Sequence, residues 1–397
     1  MTRPGARKAG DTVPPGSPSP SKELRETEGI VRKRLLRATA AIGLLLLLGA
    51  CSPGATQDSL QPQGPYAEKL TDLFVPVFWV AVAVFVVVEG GIVWIAFRFR
   101  HRAGRDRIPA QTHGNTRLEI GWTIAPALVL AGVMIPTVAT IWDLARTPPD
   151  DALNVKVLGY QWWWGFEYTD EDMRTATGDR PPIRTADVLV IPEDRVVYLS
   201  LEGAGGQIVK DDPAATDYMV IHSFWVPELA GKQDVSPGRV NHILLQADEP
   251  GTYEGQCAEF CGLQHGRMKF RVVALSAEDW ERWVVDHKQN AGTPTDPLAR
   301  RGMDLFLEPL SGGRGSCVEC HAIGGTDATS EAAPDLTHFA DPTHECFAGC
   351  IWETSDREAL EAWLRDPNAV KLGSKMPNYL LTEDEIDALV AYLYSLK

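Results

Sequence analysis

Two long apolar runs constrain this chain more than any other feature. Residues 74–97 contain one charged side chain, Glu89, and residues 120–142 contain none. About 20 apolar residues in a helix cross the hydrocarbon core of a bilayer, so each run is long enough to span one. Their length and their Val, Ile and Ala content set them apart from buried helices of a soluble domain. Between them lie Arg98, Arg100, Arg102, Arg105 and Arg107, whereas Asp143, Asp150 and Asp151 follow the second run with only Arg146. Basic loops stay on the cytoplasmic side. The pattern predicts a transmembrane hairpin over 71–143 with a cytoplasmic loop, and everything after 143 on the extracytoplasmic side of a bacterial cell membrane. Pro126 and Pro136 are tolerated in a membrane helix. An intramembrane carboxylate costs roughly several kcal/mol, which makes Glu89 a functional candidate; snorkelling or pairing with a partner subunit is the plainer reading.

The front of the chain reads as a targeting device. Residues 1–31 are rich in Pro, Ser, Gly and charge and read as disordered. Arg32, Lys33, Arg34 and Arg37 then precede an apolar stretch over 38–50 that ends in Leu48, Gly49 and Ala50 before Cys51. A basic segment, a short apolar core and small residues before a cut describe a secretory signal. The cysteine directly after Leu-Gly-Ala resembles a bacterial lipoprotein signal, which implies cleavage before Cys51 and a lipid on its thiol. A buried cysteine after an uncleaved helix is the alternative. Residues 51–70 read as a linker.

The chain has 397 residues with 38 basic and 53 acidic side chains, a net charge of −15. The surplus of acid falls after residue 143, which argues against a nucleic-acid partner. At 44% hydrophobic residues the chain is not disordered. Seven cysteines are too few for a disulfide-stapled scaffold, but six of them pair at 257/261, 317/320 and 346/350. Short pairs read as cofactor ligands or local bridges.

Short alternating or β-branched runs at 153–158, 187–191, 195–201, 218–221, 239–246 and 269–274 predict an all-β sandwich or barrel over 144–275. Its loop at 257–268 carries Cys257, Glu259, Cys261, His265 and Met268, and His222 lies 35 residues upstream of Cys257. Two thiolates, two imidazoles and a thioether suit copper in an electron-transfer site. Two cysteines four apart can bridge two coppers, with one histidine terminal on each. Structural zinc would favour a Cys-x₂-Cys spacing and has no use for Met. A single blue copper leaves one cysteine over. A disulfide between 257 and 261 is the structural alternative.

Here the chain resembles subunit II of the haem–copper cytochrome c oxidases. The resemblance rests on the Cys-x-Glu-x-Cys-x₃-His-x₂-Met pattern and His222. It also rests on Trp162-Trp163-Trp164, on Asp234-x₂-Pro237-Gly238-Arg239 and on the hairpin. It covers roughly 70–275 and implies a cupredoxin fold with a binuclear, mixed-valence copper centre. The implied ligands are His222, Cys257, Cys261, His265, Met268 and the Glu259 carbonyl, with the Glu259 side chain facing magnesium at the subunit I interface. The resemblance further implies that Trp162 accepts electrons. It places Glu119, before Ile120-Gly121-Trp122-Thr123, at the mouth of a proton channel; a helix-start carboxylate is the plainer reading of Glu119.

The tail carries Cys317-Val318-Glu319-Cys320-His321. Cys-x-x-Cys-His attaches a c-type haem through two thioethers, and the histidine binds iron. No βαβ pattern supports a thioredoxin-like pair instead. Residues 276–296 read as a linker after a short helix around 277–288. Helices over 298–309, 356–366 and 383–396 predict an all-α domain over 297–397, with Leu389, Val390, Tyr392 and Leu393 on one apolar face. Met376-Pro377 resembles the sixth-ligand segment of class I cytochromes c, and Pro334-Asp335-Leu336 resembles their haem cradle. His/Met ligation raises the haem potential. Met303 fits core packing better. Cys346 and Cys350 are needed by neither cofactor. A local disulfide, a further metal site with His344, and free thiols are the readings.

The whole therefore resembles a caa-type oxidase subunit II with a fused cytochrome c. The resemblance implies that electrons arrive at the haem from cytochrome c or a quinol–cytochrome c reductase. They then pass to copper and on to subunit I, where oxygen is reduced and protons are pumped. A short tether would hold the haem near Trp162 at an effective concentration of order millimolar. The membrane runs contain no histidine, so no oxygen-reducing site is expected on this chain. A stand-alone tethered carrier and a nitric oxide reductase subunit are the rival readings.

Overall fold

The computed structural model describes residues 34, 37–39, 41–43, 55–100, 111, 113–173, 183–203 and 220–397. Cys51 and the arginines at 102, 105 and 107 lie outside the described residues, as do 218 and 219 of the strand expected at 218–221. The chain divides into two compact units, Met1–Ala55 and Thr56–Lys397. The second contains everything below.

Helix α1, Pro65–Arg98, begins with a proline in its first turn, and α2, Thr116–Leu144, begins at Asn115, whose side chain accepts the N–H groups of Arg117 and Leu118. Both helices are long and apolar enough to cross a membrane. The 34 residues of α1 measure about 50 Å at about 1.5 Å per residue. That exceeds a hydrocarbon core of about 30 Å. The helix therefore starts before the apolar run, inside the stretch expected as a linker, and its first turn seats against the β-domain. Gln63 N–H donates to Glu228 O (2.7 Å), and Ala67 is buried. Gly64 leaves no room for a Cβ, which would lie 2.0 Å from Gln246 O. Lys69 pairs with Asp143 and ties the two helices together where they approach the β-domain.

The β-domain is a sandwich of two five-stranded sheets. The first runs β3 (Arg184–Ala186), β2 (Trp163–Tyr168), β1 (Leu153–Tyr160), β5 (Val197–Gly203), β8 (Asn241–Leu245). The second runs β4 (Val188–Pro192), β10 (Lys269–Leu275), β9 (Gly251–Cys257), β6 (His222–Trp225), β7 (Lys232–Val235). Strand β1 alternates buried and half-buried residues as one-sided packing requires. Strand β4 is buried throughout, because both of its faces are covered. Trp164, Phe166, Phe224 and Phe270 fill the space between the sheets, and Tyr168 OH crosses it to donate to Val190 O at 2.7 Å.

The alternation of apolar residues misses β2, β3, β7 and β9. Strand β2 is almost continuously aromatic, β7 is a polar edge strand, and β9 contains two glycines. The strand expected over 218–221 is found over His222–Trp225. Helix α3, Ala277–His287, follows β10 and lays Trp280 and Trp283 into the sandwich core. This is the short helix expected around 277–288, and it is packed against the sandwich.

The tail is helical. Helices α4 (Pro297–Leu307), α5 (Arg357–Arg365), α6 (Pro367–Val370) and α7 (Glu383–Leu393) start at Asp296, Asp356, Asp366 and Thr382, whose side chains accept N–H groups of the first turn. These are strong caps. Phe306, Ile323, Leu360, Ile386, Leu389 and Tyr392 make its core, and Met303 packs at the edge. A short hairpin, β11 (Cys346–Phe347) and β12 (Trp352–Glu353), carries the Cys346–Cys350 disulfide. The sulfur of Cys346 is buried against the sandwich rather than in solvent.

Helices α4 and α7 are in close contact at Gly302, where a Cβ would lie 1.9 Å from Ala388 O and 2.7 Å from Tyr392 Cβ. The contact is backbone on backbone and cannot relax through a rotamer. Gly302→Ala should therefore destabilise the tail by at least about 2 kcal/mol. Thermal unfolding followed at the haem absorption would show it; an unchanged midpoint would contradict this packing.

Candidate metal centre and haem cavity

Strands β6 and β9 pair with Phe224 opposite Cys257, which sets the start of β6, and with it His222, beside the end of β9. The chain leaves β9 at Cys257, turns through 258–268 and returns as β10, with Gln256 opposite Lys269. Gly262, at φ +113°, and a short 3-10 turn at His265–Arg267 fold that loop back on itself. His222, Cys257, Cys261 and Met268 are buried as a result.

Six donors converge in two halves. Cys257 Sγ lies 3.8 Å from His222 Nδ1 and 3.2 Å from Glu259 O. Cys261 Sγ lies 3.7 Å from His265 Nδ1 and 3.8 Å from Met268 Sδ. The two sulfurs are 3.7 Å apart, far beyond the roughly 2.05 Å of a disulfide. Among the described residues, His222, Cys257 and Cys261 form the one group of three His, Cys or carboxylate donors within 4.8 Å of one another. Donors about 2.0–2.3 Å from a shared metal sit roughly 3.5–4 Å from each other, so the spacing fits bound metal. Each half holds one thiol, one imidazole and one weak donor, a carbonyl or a thioether, and the thiols lie between them. The set therefore fits a thiolate-bridged pair of copper ions and leaves no cysteine over. The hydrogen bond between the thiols pulls Cys257 down and pushes Cys261 up, so the pair gives up its first proton readily.

The tail encloses a cavity of about 340 Å³ lined by Cys317, Cys320, His321 and Met376. The walls include Phe306, Leu336, Leu364 and Leu389. Its size and apolar walls fit a porphyrin attached through the two thiols. His321 Nδ1 donates to Pro334 O at 2.8 Å. That bond fixes the tautomer and leaves Nε2 as the unprotonated nitrogen, while burial holds the ring neutral by lowering its pKa. The Pro334 segment therefore works by orienting the histidine.

The same cavity is lined by Trp162 and Trp163 of the sandwich. The indole N–H of Trp162 donates to Cys261 O at 3.0 Å. One side chain thus touches both the cavity and a residue of the metal loop. The three tryptophans divide the work. Trp163 stacks on Tyr160 at 4.0 Å, and Trp164 lies in the core 5.8 Å from the His222 ring.

Glu119 Oε1 accepts the N–H of Asn115 at the start of α2, and both groups are exposed. Glu259 Oε1 accepts the N–H of Phe260 on the exposed rim of the copper loop. His344 faces carbonyls with both ring nitrogens, Phe339 O at 2.7 Å and Ala186 O at 3.2 Å. That arrangement belongs to a hydrogen-bonded core residue rather than to a metal ligand.

The contacts between sandwich and tail went unseen in the sequence. Gln264 donates to Leu372 O (2.8 Å), Arg267 to Val370 O (3.0 Å), and Arg184 bridges Glu167 (3.2 Å) and Glu331 (2.6 Å). The partners across the junction lie more than a hundred residues apart, and no local pattern marks them.

Residues 153–275 match the family described as cytochrome C oxidase subunit II, periplasmic domain, 55–139 match its transmembrane domain, and 299–397 match cytochrome c. Cytochrome c oxidase subunit 2 of Alkalihalophilus pseudofirmus is 36% identical over 360 residues, covering 89% of this chain and 95% of that one. The Bacillus subtilis protein of the same name is 35% identical over 373 residues, with coverage of 89% and 95%. A quinol oxidase subunit 2 from Bacillus spizizenii is 31% identical over 267 residues, 64% of this chain and 73% of that one. With the paired sulfurs, the membrane helices and the Cys-x-x-Cys-His cavity on one polypeptide, the chain belongs to the cytochrome c oxidase subunit II family, as a member with a CuA-like site and a fused cytochrome c domain.

Proposed function

We propose that electrons arrive from a cytochrome c or a quinol–cytochrome c reductase and leave toward subunit I across the contact between Trp162 and Cys261. The observation that carries this reading is the single indole that lines the haem cavity and donates to the carbonyl of a copper-loop cysteine. Cys317, Cys320, His321 and Met376 would hold the haem. His222, Cys257, Cys261, His265, Met268 and the Glu259 carbonyl would hold two coppers. When bound, these groups would supply two one-electron carriers. The protein's own part is positional. His321 is kept neutral and oriented by Pro334, and the copper loop is closed on buried sulfurs that keep water out.

The side chain of Glu259 is the position we assign to magnesium at the subunit I interface. Phe260 and Leu263, exposed at 72% and 64%, flank it with apolar surface of the kind a partner subunit covers. Glu119, at the start of α2 beside the basic loop, is assigned to proton uptake into subunit I. The acidic extracytoplasmic part favours a basic donor, steered by charge. The copper donor set favours a cytochrome over a quinol as the source of electrons, although the chain is similar to a quinol oxidase subunit as well.

Metal analysis of the purified full chain should give two coppers and one covalent haem per polypeptide, and Cys261→Ser should abolish the near-infrared copper band. One copper per chain, or a band that survives the substitution, would contradict the bridged pair. Trp162→Phe removes the indole N–H. It should slow haem-to-copper transfer in stopped-flow by at least about ten-fold, the equivalent of roughly 1.4 kcal/mol, with both absorption spectra unchanged. A wild-type rate would contradict the route.

A further inference from the structure

A lysine of the tail is buried in the sandwich next to Trp162. Lys371 is 3% exposed, and its ammonium donates to Trp162 O at 2.6 Å and to Ala348 O at 2.7 Å. Asp187, 2% exposed, supplies the opposite charge. Its two carboxylate oxygens accept from opposite sides of the domain junction, Trp164 N–H at 3.0 Å and Gly349 N–H at 2.6 Å. Burial pulls Lys371 down to about 8 against the pull of Asp187, and pushes Asp187 up to about 6 against the pull of Lys371. Both are therefore charged near neutral pH.

The surroundings are shaped to admit this pair. Gly349, at φ +79°, sits within the Cys346–Cys350 disulfide loop. A Cβ there would lie 2.6 Å from Arg267 O, 2.7 Å from Lys371 Nζ and 3.0 Å from Trp162 O. Gly349 O accepts the N–H of Lys269, so the loop is held by β10 as well. Beyond Lys371, Gly373 lies flat on the Trp162 indole, with a Cβ position 3.1 Å from its outer carbons. The segment 370–373 leads directly to Met376. A buried charged pair is weak evidence for stability, because desolvation offsets much of its attraction. Its placement on the backbone of the bridging tryptophan suits a role in geometry better.

We propose that Lys371, with Asp187, is a positioning residue that locks Trp162 between the haem cavity and the copper loop, so that the tail works docked rather than tethered. The inference rests on the reading of Trp162 as the bridge. It concerns the backbone of Trp162, whereas that reading concerns the indole, and the two can fail separately.

The test uses the full chain with both cofactors in detergent. Lys371→Met should slow haem-to-copper transfer at least about ten-fold and raise amide hydrogen exchange at Trp164 and Gly349. The haem and copper absorption and both midpoint potentials should stay unchanged. Lys371→Arg, which keeps the charge opposite Asp187, should recover part of the rate and of the protection. Gln264→Leu removes the neighbouring bond to Leu372 and should change both readouts in the same direction by less; it decides the matter if Lys371→Met does not fold. A wild-type rate or unchanged exchange in these variants would overturn the inference, as would a slowing that appears only with loss of the Met-ligated haem band. If Trp162→Phe slows transfer and Lys371→Met does not, the clamp alone is wrong. If neither slows it, the reading of Trp162 is wrong as well.

Discussion

The hydrogen bond from the Trp162 indole to the carbonyl of Cys261 is the contact on which the arrangement turns. It requires Cys261 to sit in a closed loop, and that loop is closed by donors that face inward in two sets. It also requires Trp162 to reach the wall of the haem cavity. Trp162 lies just after β1 and before β2, so it is held at a strand end rather than within a flat sheet. A strand-end residue can face out of the domain while its neighbour Trp164 fills the core.

The junction between the domains is built from groups that are expensive to bury alone. Lys371, Asp187 and the peptide groups of Trp162, Trp164 and Gly349 answer one another there. Removing one member leaves a charge or a dipole without its partner, so the junction behaves as a unit. The disulfide loop belongs to this junction. Its buried position against the sandwich gives it a structural place outside both candidate sites.

The candidate copper and haem residues stand out in the sequence because the chemistry they suit calls for short spacings. Cys257, Cys261, His265 and Met268 share one loop, and Cys317, Cys320 and His321 share one turn. The membrane helices were legible from length and charge alone. The junction was not. Asp187 sits between two short strands and Lys371 follows a four-residue helix, and each would read as an ordinary surface charge. Only folding makes them neighbours. The sequence suggested a short helix near 277–288 and then a tether; that helix is α3, which packs into the sandwich core, and the tail seats directly on the metal loop. Strand β9 carries no clean strand pattern because Gly255 lies under the Phe270 ring, where a Cβ would be 2.3 Å from it, so packing rather than propensity selects the residue.

Docking and tethering differ in one measurable respect. A tethered domain must diffuse to its partner, and that search slows as the solvent thickens. Intramolecular haem-to-copper transfer in the full chain, timed by stopped-flow or flash photolysis across a glycerol series, tests this most directly. The account predicts a first-order rate that is independent of both protein concentration and viscosity. A rate that falls in inverse proportion to viscosity would contradict it.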